Sequence, residues 1–149
     1  MSEEIPLKKI LVPLDGSDPS FRAAKYAIKI AKMADADITC IHVIINLPYS
    51  GYATAGIAIT EYIDEAKKTA ESWYNEVKKT AEKADVIMHS DTIFDVASAT
   101  DSIINYSEKN NIDLIIMGTK GRTGLKKYFL GSVATGVVTH AKCPVLVVR

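Results

Sequence analysis

The sequence predicts a doubly wound α/β domain: a five-stranded parallel sheet with helices on both faces. Three observations predict it. Short, mostly apolar stretches of strand length recur at residues 10–14, 38–45, 114–117 and 145–148, and residues 86–93 read as a further strand. The segments between them repeat their apolar residues at helical spacing. The order is therefore βαβαβαβαβ, and short apolar strands joined by helices require a parallel sheet covered on both sides.

The elements follow in order. Ile10-Leu11-Val12-Pro13-Leu14 is a buried first strand that ends in the turn Asp15-Gly16-Ser17. Pro13 belongs near the strand's end, since proline donates nothing to a ladder. Ser17 or Asp18 caps the next helix, with Pro19 in its first turn. Phe21, Ala24, Ala27, Ile28 and Ala31 share one face of it, and residues 35–37 break it. Residues 38–45 are rich in β-branched side chains and form the second strand. Residues 47–60 mix Pro48, Gly51 and Gly56 with Tyr49 and Tyr52, and are expected to be a long connection of functional type.

Residues 61–84 form the clearest helix. Ile63, Ala66, Ala70, Trp73, Val77, Ala81 and Ala84 fall on one stripe, and Trp73 is assigned to the core. Residues 86–93 are strand three. Asp95 begins a helix carrying Val96, Ala99, Ile103, Ile104 and Tyr106, which ends near Asn110-Asn111. Strand four, 114–117, runs straight into Gly118. Ser132 opens a short helix to about His140, and Pro144 leads the fifth strand, 145–148, expected at a sheet edge.

Length and composition bound the rest. A chain of 149 residues fits one domain, 1–149, which buries roughly 70% of its unfolded surface and needs no disulfide or metal staple. Eighteen Lys and Arg balance eighteen Asp and Glu. That leaves no field to hold nucleic acid, and little repulsion against self-association. Cys40 and Cys143 form no C-x-x-C pair and are expected to be buried apolar side chains. With no signal-peptide pattern and no apolar stretch of membrane-spanning length, the cytoplasm is the expected compartment.

In open parallel sheets, ligands bind beyond the carboxyl ends of the strands where the strand order reverses. For an order of 3-2-1-4-5 this lies between strands one and four, whose ends carry the unusual residues. After strand four comes a segment with Gly118, Gly121, Gly124 and Gly131, leading to Ser132 and a helix. Glycines let backbone N–H groups approach a phosphate, and successive N–H groups form a concave anion site. The helix start adds unpaired N–H groups and a positive dipole end. Ser132 adds a hydroxyl, and Lys120, Arg122, Lys126 and Lys127 add positive charge. The P-loop pattern is absent, because no lysine separates Gly131 from Ser132. The G-x-G-x-x-G dinucleotide fingerprint is absent as well.

Gly118-x2-Gly121-x9-Gly131-Ser132 resembles the G-x2-G-x9-G-[ST] signature of the ATP-binding branch of the universal stress protein family. Residues 10–17, 113–118 and 143–148 resemble that family's opening strand and turn, fourth strand and closing strand, so the resemblance covers essentially the whole chain. It implies an ATP-binding module, with ADP or AMP as variants. It puts Gly118, Gly121, Gly131, Ser132 and Val133 at the ribose and phosphates. Asp15 would face the ribose or a divalent ion, Mg or Mn. Pro13 and Val43 would border the adenine, with Met117 beside the nucleotide. It also implies a homodimer, often formed through the last strand. Asp95-Val96-Ala97 departs from the glycine or proline that many members carry there, and the 47–60 connection transfers nothing.

The expected function is nucleotide-dependent binding and signalling in a stress response rather than fast catalysis, with a slow ATPase or phosphotransfer activity as the rival. Phosphoryl transfer needs a metal and a positioned nucleophile, and Asp15 is the acidic residue placed near the phosphates. A second rival is an interaction protein with no ligand, paired through its closing edge strand. His42, His89 and His140 share no metal-ligand spacing, and no recognisable nucleophile motif is present.

Overall fold

The computed structural model describes residues 3–45, 56–95, 98–119 and 129–149. Five strands, β1 (Lys9–Pro13), β2 (Asp37–Ile45), β3 (Met88–Asp95), β4 (Leu114–Gly118) and β5 (Val145–Val148), alternate with four helices. These are α1 (Asp18–Ala34), α2 (Gly56–Lys83), α3 (Ala99–Lys109) and α4 (Ser132–His140). All strand pairs are parallel, in the order β3-β2-β1-β4-β5. β1 lies between β2 and β4, with Ile10 beside Ile38 on one side and Leu114 on the other.

Alternation along β1 divides the core in two. Ile10 and Val12 join Ile38, Cys40 and Ile116 on the face packed by Ala23, Ala24 and Ala27 of α1 and Ala70, Tyr74 and Val77 of α2. Leu11 joins Ile41, Ile115 and Met117 on the other face, under Ile103 of α3 and Ala134 and Val137 of α4. Strands covered on both faces have no polar side to show, which is why they read as unbroken apolar runs.

Local signals set the element ends. Ser17 Oγ accepts the Ser20 amide at 3.3 Å and caps α1. At the other end Asp35 takes a left-handed conformation with φ of 54°, and the chain turns into β2. Pro13 is the last residue of β1. The bounds of α4 and β5 are those expected from sequence.

Four expectations are corrected. Residues 56–60, assigned to a connection, are helical, and the rest of that connection, with Tyr49 and Tyr52, lies outside the described residues. β3 is displaced by two residues from 86–93 and runs through Asp95, which therefore does not start α3. Ser98 does so instead: its Oγ accepts the Asp101 amide at 3.0 Å, while Val96 and Ala97 lie outside the described residues. Cys143 is only half-buried, whereas Cys40 is fully enclosed. Among the described residues no helix is long and apolar enough to cross a membrane.

Candidate functional site

The first turn after β1 is built around its own carboxylate. Asp15 accepts the Ser17 amide at 2.9 Å, so the side chain expected to face a ligand also holds the turn that presents it. Between them Gly16 adopts φ of +82°, and a Cβ there would overlap the indole of Trp73. Trp73 is thus not simply a core residue. It is half-buried, against both the α1–α2 core and this turn.

His42 fixes the neighbouring strand end. Its Nδ1 lies 2.7 Å from the Leu14 carbonyl oxygen, so the ring donates from Nδ1 across to the end of β1. Its ring also meets Trp73 edge to face, with centroids 5.0 Å apart. The ends of β1 and β2 and the middle of α2 are locked together through these two rings.

At the end of β4 the glycine segment leaves and returns. Thr119 N–H donates to the Val148 carbonyl at 2.8 Å, and Gly131 N–H donates to the Thr119 carbonyl at 2.7 Å. The start of α4 is thereby pinned beside the end of β4. Gly131 occupies the N-cap position and brings no side chain to cap the helix. The Gly131 carbonyl accepts the Thr135 amide at 2.9 Å, which leaves the amides of residues 132–134 without an intrahelical acceptor. Gly118 has a packing reason to be glycine: a Cβ there would lie 2.9 Å from the Pro19 carbonyl carbon and 3.0 Å from the Ser20 nitrogen. Its bareness lets β4 lie against the start of α1.

These pieces surround one cleft of about 190 Å³ at the carboxyl ends of β1, β2 and β4. Of the nine residues picked out from sequence, Pro13, Asp15, Val43, Met117, Gly118, Gly131, Ser132 and Val133 all line it. Gly121 lies outside the described residues, as do Lys120, Arg122, Lys126 and Lys127. Sequence reasoning missed Leu14, Ser20, Ile41, His42, Ala99, Ile103, Thr119 and Ala134, which also line it. Strand alternation from Val43 points to Ile41. His42 has no local signal, because its partner is 28 residues away. The cleft is apolar on one side, with Ile41, Val43, Ile103 and Met117, and carries the start of α4 on the other. This is an arrangement for a ligand with a flat apolar part and an anionic part. Among the described residues no group of three or more His, Cys, Asp or Glu is placed to hold a metal ion by itself.

A sequence model of the universal stress protein family matches residues 6–149. A universal stress protein of Methanocaldococcus jannaschii is 43% identical over 144 residues, covering 95% of this chain and 82% of the relative. The solved structure of the universal stress protein UspA from Lactobacillus plantarum superimposes with a TM-score of 0.87 at 25% identity, covering 95% of this chain and 97% of that one. The same fold, at a TM-score of 0.69 and 18% identity over 98% of this chain and 100% of the other, occurs in a universal stress protein from Archaeoglobus fulgidus solved in complex with dAMP. Family match, sequence identity and superposition agree along nearly the whole length, and the chain belongs to the universal stress protein family.

Proposed function

We propose that this protein is an adenine-nucleotide-binding module, with ATP as its ligand, that acts in stress response by changing what a partner meets rather than by rapid catalysis. One observation carries the reading: eight residues drawn from β1, β2, β4 and the start of α4 converge on a single cleft that pairs an apolar wall with an uncapped helix start. The amides of residues 132–134 and the hydroxyl of Ser132 bind the phosphates. Pro13, Val43 and Met117 flank the base. Asp15 faces the ribose, or a magnesium or manganese ion that arrives with the phosphates and takes most of its ligands from them. The Archaeoglobus fulgidus protein in complex with dAMP supports this by analogy of fold only.

The test is a thermal melt with and without Mg-ATP, repeated with ADP and AMP. A ligand at a hundredfold excess over its Kd stabilises the folded state by about 2.7 kcal/mol. The reading fails if millimolar nucleotide moves neither the melting curve nor the calorimetric baseline.

The same cleft is compatible with slow hydrolysis, for which Asp15 is the acidic side chain at hand. Phosphate release that is rapid in the wild type and lost in Asp15→Ala favours an enzyme. Its absence, with binding retained, favours the module. Self-association belongs to the same proposal: β5 is an edge strand, and Leu146 on it is 38% exposed. An unpaired edge of this kind is a surface for a second copy.

A further inference from the structure

Helices α1 and α2 pack over the same face of the sheet, and a groove of about 400 Å³ lies between them. Its lining comes from these two helices alone. Ala24, Ile28 and Val77 are buried and form the floor, with half-buried Phe21 beside them. Lys25 shares the side of α1 that carries Phe21 and Ile28, at helical spacing. On α2, Glu76 and Thr80 are one turn apart. Lys25 and Glu76 are thus exposed on opposite walls, and among the described residues neither forms an ion pair. Two further charges border the groove, each with another role. Arg22 Nε donates to the Arg149 carbonyl at 2.5 Å. Asp18 lies in the first turn of α1, where the helix dipole favours a carboxylate.

We propose that this groove binds a free α-amino acid with a branched or aromatic side chain. Such a molecule carries a carboxylate and an ammonium group on one carbon, with an apolar body beside them. The carboxylate pairs with Lys25 and the ammonium group with Glu76, so the ligand bridges two charges that form no ion pair with each other. The side chain lies over Phe21, Ile28 and Val77 and buries apolar surface there. A ligand of one sign suits the groove less well, because an anion also meets Glu76 and a cation also meets Lys25. The groove's size falls in the range of small-molecule sites. Ion pairs as exposed as these are individually weak, which sets the affinity in the millimolar range. None of these residues lines the nucleotide cleft, so the proposal stands apart from nucleotide binding.

Leucine and phenylalanine are titrated into the full chain without nucleotide, followed by calorimetry and by the amide resonances of α1 and α2. Three controls each remove one feature of the ligand: leucinamide lacks the carboxylate, N-acetylleucine lacks the ammonium group, and glycine lacks the apolar body. The expected result is saturable binding of both amino acids at millimolar concentration, with shifts centred on Lys25 and Glu76, and about tenfold weaker binding of each control. Lys25→Gln should weaken leucine and abolish its advantage over leucinamide. Glu76→Gln should weaken leucine and abolish its advantage over N-acetylleucine. A merely structural role for either side chain would not erase one discrimination and spare the other. Both positions are exposed, so both variants should melt close to the wild type. The proposal is overturned if neither amino acid saturates, if leucinamide or N-acetylleucine binds as well as leucine, or if both variants discriminate as the wild type does. Failure of ATP to bind would leave each of these outcomes readable.

Discussion

The indole of Trp73 meets the imidazole of His42 at 87°, with ring centroids 5.0 Å apart, and the same imidazole reaches Leu14 at the end of β1. A residue in the middle of a long helix is thereby in contact with the rim of the proposed nucleotide cleft. Because His42 lines that cleft, a ligand that shifts the ring changes the surroundings of the indole.

Trp73 emission should therefore change on addition of Mg-ATP, in step with calorimetric binding. In His42→Ala the change should shrink while the phosphate end of the site stays intact. A wild-type spectrum that stays constant while calorimetry reports saturation would separate Trp73 from the site.

Gly16 is the second anchor of that corner. Its φ of +82° disfavours any side chain, and the space a Cβ needs is held by Trp73. Gly16→Ala should cost about 2 kcal/mol or more, read as a lower urea midpoint. The double variant Gly16→Ala with Trp73→Ala should recover the steric part of the loss but not the part due to backbone conformation. Full additivity of the two single losses would argue against the contact as the cause.

Gly118 tests a different role for a signature glycine. The neighbours of its missing Cβ, at 2.9–3.0 Å, include the backbone of Pro19 and Ser20, which cannot move aside as a flexible side chain would. Gly118→Ala should destabilise the fold by about 1–3 kcal/mol even without nucleotide. An alanine variant with wild-type stability but impaired binding would assign Gly118 to ligand approach alone.

Buried strands such as β1 and β4 announce themselves because both faces are apolar, and the edge strand β5 does so because all four of its residues are apolar. The sequence pattern sets β3 two residues early because Ser90 and Asp91 are exposed and the apolar residues begin with Val86, which is buried before the strand starts. The beginning of α2 was hidden by Gly56, a poor helix residue read with its neighbours as a connection. The start of α4 is legible because a glycine and serine spacing is a local pattern, whereas Pro13, Val43 and Met117 are reached only through the family resemblance. His42 and Trp73 are not legible: their roles arise only when α2 packs on β2, and an apolar stripe cannot tell a core tryptophan from one at the margin of a site.

Gly131 separates ligand binding from assembly. It has an extended backbone, with φ of −62° and ψ of 161°, that any residue can adopt, so a substitution there strains little. Gly131→Val places a branched side chain beside the amides of residues 132–134 and should weaken nucleotide binding about tenfold or more. β5 reaches this corner through Val148, whose carbonyl accepts the Thr119 amide, but its exposed Leu146 lies on the edge strand. Sedimentation should therefore give the same mass for variant and wild type. If the wild type proves dimeric, loss of that dimer together with nucleotide binding would show that the two surfaces are one.

Cys40 gives the fold a dependence on alkaline pH whose sign can be worked out. The side chain is fully buried on the α1–α2 face of the sheet, and desolvation pushes its thiol from an ordinary 9.0 up to about 12. Below pH 9 the thiol is protonated in both folded and unfolded chains, so its contribution to stability is fully present. Between 9 and 12 the unfolded chain ionises and the folded one does not, so stability falls as pH rises. Tyr74 acts in the same direction from pH 10, since burial raises its phenol to about 12. Urea unfolding at pH 8, 9 and 10 should show the decline beginning before the tyrosine can contribute. Cys40→Ala should lower stability throughout, through the cavity it leaves, yet flatten the slope between pH 9 and 10. Some slope should survive from the half-buried Cys143, whose thiol is also raised, chiefly by burial. A thiol reagent at pH 8 should label Cys143 in the folded protein and Cys40 only as the chain unfolds. Equal labelling rates for the two, or an unchanged slope in Cys40→Ala, would mean that the strand opens to solvent far more readily than its packing implies.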